Sequence, residues 1–381
     1  MTDWKSSLRA DPTPWLLENA CPAIRYRVLT EIFDRGREDP DVQKARQDVA
    51  AYLPALTLQR QQRKDGSWGG AIHAGDPRKL QRSLESGLTA LYELGWSRDS
   101  KPVKQAAATL RTFLTAKKDL KFFEFAKVVK ADDRRERYYR WFLRILSLGL
   151  LIRGGYEDDR TRLSVLELLD LAAGFVDDPV SKNPAEEIGA SHPLIRVAAW
   201  RRDYPFLPDL YLARVFAFSP WLLEGELAKM RLKKTFDYVM SETYQKLAPD
   251  LGLVRTAKGS FVKGNGLRIR SVDYYQKHGN LDELMHNLEL LARLGLINRY
   301  PQLMAHLEWI HTQQGKEGRW NLAGKLLNES SRWTALMRLE KDWRSPARKE
   351  ADLTFRMLLI LKYQWERQIR MLDRREDGYP I

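Results

Sequence analysis

Apolar residues recur at intervals of three and four along nearly the whole chain, and this spacing constrains the fold more than any other feature. Leu281, Leu284, Leu288 and Leu291 are one example. A period near 3.6 residues places such side chains on one face of an α-helix, whereas a half-buried strand alternates with a period of two. No Asn-Gly or Asp-Gly pair lies between alternating segments, so the usual signal of a β-hairpin is missing. The sequence predicts an all-α protein.

The helical segments are of two kinds. Charged segments alternate along the chain with segments that are apolar on nearly every side. A helix that meets solvent needs a polar face, but a helix enclosed by its neighbours does not, so the alternation predicts an outer and an inner layer. The outer segments span about 39–63, 101–116, 160–177, 225–247 and 300–314, and the inner segments about 22–34, 80–95, 136–153, 205–219, 281–297 and 351–366.

Two loops carry the same motif, Gln-x-x-x-Gly-x-Trp. It runs from Gln62 to Trp68 and again from Gln314 to Trp320, each time after an outer segment. A motif that returns in the same context indicates an internal repeat. We expect the Gln to bond free carbonyls at the helix end, the Gly to adopt a left-handed conformation, and the Trp to cover the helix end.

These loops, QRQQRKDGSWGG and HTQQGKEGRW, resemble the QW repeats of the terpene cyclase and prenyltransferase superfamily. The N-terminal sequence PWLLENACPAIRYRVLTEIFDR is similar to bacterial squalene-cyclase-like proteins. The resemblance implies an α/α toroid, a barrel of about five to six helix pairs around a central cavity. We expect residues 1–381 to form one such domain, with 1–20 as an N-terminal extension and 367–381 as a C-terminal tail.

The catalytic motifs of that superfamily are absent. Squalene-type cyclases protonate an alkene with a D-x-D-D motif, but Tyr156-Glu157-Asp158-Asp159 lacks the first Asp and resembles an ordinary acidic helix start. Protein prenyltransferases hold zinc with Asp, Cys and His, and the single cysteine, Cys21, has no histidine near it in sequence. We predict no metal and no cofactor, and the resemblance implies a ligand cavity without implying a reaction.

Polar residues gather where the inner segments begin. In a ring of helix pairs these starts meet at one mouth of the cavity, where the helix dipoles add positive potential. Arg, Lys and Tyr side chains there suit the anionic head of an amphiphilic ligand, and outward-turned capping residues are the alternative. The candidates for ligand binding are Arg82, Tyr139, Arg140, Trp141, Tyr211, His286, Trp333 and Lys349, and the candidate catalytic residues are Glu85, Asp209 and Asp352.

The chain is basic, with 64 Lys and Arg against 50 Asp and Glu and a formal net charge of +14. It has no apolar run long enough to span a membrane and no pair of cysteines for an internal disulfide, so we expect a cytoplasmic protein.

Three functions are compatible with these features. The first is a toroid that binds an isoprenoid or another anionic-headed amphiphile. The second is a helical-repeat scaffold that uses its charge to hold an acidic protein or a nucleic acid. The third is an (α/α)-barrel acting on carbohydrates, with Glu85 and either Asp352 or Asp209 as its pair of carboxylates. We favour the first.

Overall fold

Helices dominate the computed structural model. It describes residues 4–73, 83–115, 133–186, 192–196, 199, 207–247, 250–256, 259–322, 324–328 and 337–371, so that Arg82 and Trp333 lie outside the described residues. Within these ranges the chain forms fifteen α-helices and one small sheet, which confirms the predicted helical class. No helix in the described ranges is both long and apolar enough to span a membrane.

The helices follow one another with short connections. Their bounds are α1 Thr13–Asn19, α2 Pro22–Arg27, α3 Pro40–Ala51, α4 Leu53–Gln61, α5 Leu84–Glu93, α6 Lys101–Thr115, α7 Asp133–Arg153, α8 Asp159–Asp177, α9 Leu210–Ala217, α10 Glu226–Val239, α11 Glu242–Gln245, α12 Val272–His278, α13 Leu281–Arg293, α14 Pro301–Thr312 and α15 Pro346–Met371. A π-helical turn, Val28–Ile32, continues α2.

The chain divides into two compact units. Unit 1 comprises Met1–Gln105 and Arg270–Ile381, and unit 2 comprises Ala106–Ile269. The described part of the predicted N-terminal extension packs into unit 1, where Trp4 and Leu16 are buried. At the other end, α15 continues to Met371, inside the predicted C-terminal tail. That the whole chain forms one toroidal domain stays a prediction.

Enclosed and half-exposed helices occur in both units. In unit 1 every residue from Ala351 to Lys362 of α15 is buried, whereas α3 buries only Val42, Ala45 and Val49. In unit 2 nearly all of α9 is buried, whereas α8 and α10 keep one exposed face. The enclosed helices coincide with predicted inner segments and the half-exposed helices with predicted outer segments.

Three enclosed elements of unit 1 run in the same direction. From the N-terminal to the C-terminal end of α15, its contacts reach residues of increasing number on α2 with its π-helical turn. The same holds for its contacts on α13. These contacts are Phe355 with Arg27, Arg356 with Glu289, Lys362 with Glu31, and Tyr363 with Arg293. The N-terminal ends of α2, α13 and α15 therefore point the same way, as expected for inner helices.

The two tryptophans of the repeated motif occupy equivalent positions. The Trp68 indole N–H donates to the carbonyl of Leu58 at 2.8 Å, and the Trp320 indole N–H donates to the carbonyl of Ile310 at 2.9 Å. Both carbonyls belong to the last turn of the preceding helix, and that of Ile310 also accepts the backbone N–H of Gln313 at 3.0 Å. The indole, and not the Gln side chain as expected, therefore bonds to a carbonyl at each helix end.

The Gln side chains close the motif loops. The Gln62 amide donates to the carbonyl of Gly66 at 3.1 Å, and the Gln314 amide to the carbonyl of Gly318 at 2.8 Å. Both glycines have left-handed backbone conformations, with φ of 81° and 80°, as predicted. At Gly318 a side chain would also collide with the carbonyl of Ala10.

Each Gln also holds a second segment of unit 1. The Gln62 amide donates to the carbonyl of Pro102, in the first turn of α6, at 2.8 Å. Gln314 reaches the N-terminal segment, because its carbonyl oxygen Oε1 accepts the backbone N–H of Arg9 at 2.9 Å and its amide donates to the carbonyl of Ala10 at 3.3 Å. The repeated motif is thus a tie between two parts of the chain as well as a helix stop.

Unit 2 contains the sheet. Its strands are β1 Ala185–Glu186, β2 Leu194–Ile195, β3 Leu253–Thr256 and β4 Gly259–Val262, in the order β1-β2-β3-β4. The pair β2/β3 is parallel, and β1/β2 and β3/β4 are antiparallel, with Val254 opposite Phe261. The sequence does not predict this sheet, because its strands are short and its hairpin lacks an Asn-Gly or Asp-Gly turn.

Candidate functional site

A buried acidic cluster lies where α15 begins in unit 1. Asp352 is 2% exposed, and its Oδ1 accepts the backbone N–H of Leu339 at 2.8 Å. Its Oδ2 accepts the indole N–H of Trp343 at 2.6 Å, and the backbone N–H of Glu340 lies 3.3 Å from both oxygens. Because the donors come from the loop just before the helix, the carboxyl holds that loop and is itself fixed in one orientation.

Within the described residues no side chain forms an ion pair with Asp352 or Glu340, and the charge of Arg348 only partly offsets the burial of Glu340. Asp352 has no ion-pair partner there, and the buried carboxyl of Glu340 accepts the backbone N–H of Cys21 at 2.7 Å. Burial, with a smaller contribution from the nearby Glu340, raises the pKa of Asp352 to about 7 against the effect of its N–H donors. Burial also raises the pKa of Glu340. Asp352 therefore gains or loses its proton near neutral pH.

Two further titratable groups face the acidic cluster. They are the Cys21 thiol, at the start of α2, and the Tyr52 hydroxyl, at the start of α4, which donates to the carbonyl of Leu339 at 3.0 Å. Burial raises the pKa of both groups, so each is neutral near pH 7. The cluster is therefore built from neutral and acidic side chains.

A partly exposed rim lies beside the acidic cluster. The Lys349 ammonium lies 5.5 Å from the centroid of the Trp343 ring, whose N–H holds Asp352. Arg348, which is also partly exposed, bonds to Asp342 at 2.7 Å. The structure thus brings together two predicted site residues, Asp352 and Lys349, and it does so through Trp343. The sequence signal for Trp343 is a loop tryptophan shortly before an inner helix that begins with cations.

Glu85 has a histidine partner. Ser83 caps α5, so Glu85 lies in the first turn of this helix, with its Oε2 2.7 Å from Nδ1 of His73. Both side chains are buried. A carboxylate in this position fixes the orientation of the imidazole. The sequence does not point to His73, because it lies in a Gly-rich loop outside any helical pattern. A catalytic role for Glu85 stays a prediction.

Asp209 caps a helix in unit 2. Its Oδ1 accepts the backbone N–H groups of Tyr211 and Leu212 at 3.0 and 3.1 Å, as an N-cap of α9 does. Its Oδ2 accepts from the buried ammonium of Lys263 at 2.9 Å. These bonds stabilise the start of α9 and tie it to the end of β4. Asp209 thus has a structural role as a helix cap and ion-pair partner, and its catalytic role stays a prediction.

The other predicted ligand-binding residues are divided between the two units. His286 lies on α13 of unit 1 and is partly exposed. The unit 2 residues pack within that unit: Tyr139 against Phe261, Arg140 on Glu136, Trp141 under Arg144 and Tyr211 against Phe142. That all these residues line one cavity stays a prediction.

Six charged side chains, four of them buried and two half-buried, form an ion network in unit 1. Arg27, on α2, and Arg356, on α15, both bond to Glu93 of α5, at 2.6 and 2.8 Å. Arg356 also pairs with Glu289, on α13, and Arg293 bonds to Glu289 at 2.9 Å. The members of the ion network are Arg27, Glu31, Glu93, Glu289, Arg293 and Arg356, so three positive and three negative charges cancel.

The ion network shifts its carboxylates in the direction opposite to Asp352. Burial alone would raise the pKa of Glu289, but Arg356 and Arg293 outweigh burial and lower the pKa to about 2. The same balance lowers the pKa of Glu31, through Arg27 and Arg293. These carboxylates stay ionised at neutral pH and serve as permanent partners of the arginines.

The described part of the chain contains no group of three or more His, Cys, Asp or Glu side chains that is arranged to hold a metal ion. No protein-family model, curated protein or solved structure matches the chain.

Proposed function

We propose that unit 1 binds an amphiphilic small molecule with an anionic head at the start of α15, and that Asp352 is the proton donor to this ligand. One observation carries the proposal: Asp352 is buried, has no cationic partner within the described residues, and has a pKa raised to about 7. A buried carboxyl that is partly protonated at neutral pH suits general acid catalysis, and buried acids without a structural counter-ion are typical of functional sites.

The neighbours of Asp352 suit different parts of such a ligand. The partly exposed Lys349 ammonium offers a charge for an anionic head. Trp343 offers an apolar ring between Lys349 and the buried carboxyl. A prenyl diphosphate combines an anionic head with an apolar tail, and the resemblance of the two Gln-x-x-x-Gly-x-Trp loops to QW repeats supports an isoprenoid tail.

Binding is measured by equilibrium dialysis with a labelled fifteen-carbon prenyl diphosphate, and the bound fraction is then analysed for product. We expect Lys349→Ala to weaken binding about tenfold, which corresponds to about 1.4 kcal/mol, because it removes the cation that faces the head. Asp352→Asn is expected to bind the ligand and to form no product.

Lys341→Ala is the matched control, because Lys341 is exposed and precedes Trp343 in the same loop. It should bind as the wild type does. The proposal fails if micromolar wild-type protein binds neither the diphosphate nor the corresponding alcohol. It also fails if both lysine variants lose binding equally, since the effect would then be one of overall charge.

A further inference from the structure

Trp343 contacts the two functional parts of the proposed site through different parts of one ring. Its indole N–H is 2.6 Å from Oδ2 of Asp352, and its ring face is 5.5 Å from the Lys349 ammonium. The ring is rigid, so a bond at its edge and a cation at its face constrain the distance between the buried carboxyl and the partly exposed cation. Trp343 itself is only partly exposed, as expected for a residue between the two.

We infer that Trp343 is a positioning residue, which orients the Asp352 carboxyl through its indole N–H and seats the Lys349 ammonium on its ring. This inference rests on the proposed function for the role of the site, but its test measures only the bond between Trp343 and Asp352. The role would keep the proton donor at a fixed place relative to the head of the bound molecule.

The N–H of Trp343 acts on the protonation of Asp352 in a definite direction. A donor that bonds to a carboxylate favours the ionised form, so its loss raises the pKa of the carboxyl. The titratable groups that face Asp352 are Glu340 from the same loop, Cys21 from α2 and Tyr52 from α4. None of the three is a cation. Two cations lie nearby, Lys349 over the Trp343 ring and Arg348, which lowers the pKa of Glu340, but neither forms an ion pair with Asp352.

The test measures the protonation of Asp352 directly. The carbonyl stretch of the protonated carboxyl is followed by infrared spectroscopy against pH, and the band of Asp352 is identified by its absence in Asp352→Asn. Trp343→Phe keeps an aromatic ring and removes the N–H, so we expect the midpoint to rise by about one pH unit. Trp309→Phe, at another partly exposed tryptophan of unit 1, should leave the midpoint unchanged.

A second replacement guards against misfolding of Trp343→Phe. Benzothienylalanine at position 343 keeps the size of the indole and replaces only the N–H by sulfur, so it should shift the midpoint as Trp343→Phe does. A wild-type midpoint in the benzothienylalanine protein would overturn the inference.

The two proposals can fail separately. If the wild-type protein binds no prenyl diphosphate but the midpoint shifts, the proposed function falls and the positioning of Asp352 by Trp343 stands. If binding is present and the midpoint does not move, the positioning role falls alone.

Discussion

Asp352 and Arg356 are four residues apart on α15, one turn of the same buried helix. The regions around them differ in whether the buried charged groups have partners of opposite charge. Around Arg356 the ion network pairs three arginines with three glutamates. Around Asp352 the acidic cluster has a second carboxyl, a thiol and a phenol, and Asp352 itself has no ion-pair partner within the described residues.

Burial is common to both regions and therefore cannot explain the difference. It disfavours the charged form of Glu289 and Asp352 alike, yet the pKa of Glu289 falls to about 2 and that of Asp352 rises to about 7. The partners decide the direction of the pKa shift. Arginines offset the desolvation of Glu289, whereas neutral N–H groups do not fully offset that of Asp352. The ion network is suited to holding helices together, and the acidic cluster to exchanging a proton.

Removing one member of the ion network should have the largest effect. Arg356→Met leaves Glu93 and Glu289 buried with fewer partners, so we expect the free energy of unfolding to fall by about 3–5 kcal/mol. Urea unfolding followed by circular dichroism measures this loss. Arg37→Met is the control, because Arg37 pairs with Asp99 at the surface and should change the free energy by less than about 1 kcal/mol. A small loss at Arg356 would mean that the ion network contributes little to the fold.

The pH dependence of stability should separate the two regions by sign. The pKa of Asp352 is higher in the folded chain than its usual 3.8, so its contribution to stability is complete below about pH 4 and is lost as the pH rises through 7. The pKa of Glu289 is lower than its usual 4.5, so its contribution is complete above about pH 4.5 and is lost as the pH falls toward 2.

The measurement compares the wild type with Asp352→Asn and Glu289→Gln over that range. Between pH 4 and 8 the wild type should lose on the order of 4 kcal/mol relative to Asp352→Asn. Between pH 5 and 2 it should lose on the order of 3 kcal/mol relative to Glu289→Gln. Difference curves of the same sign would show that the two carboxyls are not held in opposite states.

The smallest effect is expected at Glu340. Its carboxyl lies beside Asp352, and burial raises its pKa despite the charge of Arg348, so Glu340→Gln should stabilise the fold or leave it unchanged at pH 8, within about 1 kcal/mol. The same change should lower the pKa of Asp352, since it removes a like charge. Unfolding by urea at pH 8 and infrared titration of Asp352 test both points. A loss of several kcal/mol would place Glu340 among structural carboxylates such as those of the ion network.

Helical periodicity predicts much of the fold because it is a local property. The inner segment expected at about 351–366 is part of α15, Pro346–Met371, and the outer segment expected at about 300–314 is α14, Pro301–Thr312. The left-handed conformation of the glycine in each motif loop is predicted correctly. The side chain that bonds to the helix-end carbonyl is not, because it is Trp and not Gln. The sequence shows that Gln and Trp are both present, and only the geometry of the loop decides which reaches the carbonyl.

The site is less predictable because its partners are distant in sequence. Glu93 and Arg356 bond across 263 positions, and no local pattern relates them. Asp352 and Lys349 follow from the rule that polar residues gather at inner-helix starts, but the pKa of Asp352 depends on its burial, which is a three-dimensional property. Trp343 lies nine positions before Asp352 and is within reach of local reasoning.

The hydrogen bonds between Gln314 and Arg9 have a consequence for folding during translation. The segment around Arg9 cannot complete its hydrogen bonds until the loop at 314 has also been synthesised. Unit 2, which is continuous in sequence, has all its own residues available earlier. We therefore expect Ala106–Ile269 to fold during translation, while helices α1–α5 wait for α13–α15 and depend meanwhile on protection from aggregation.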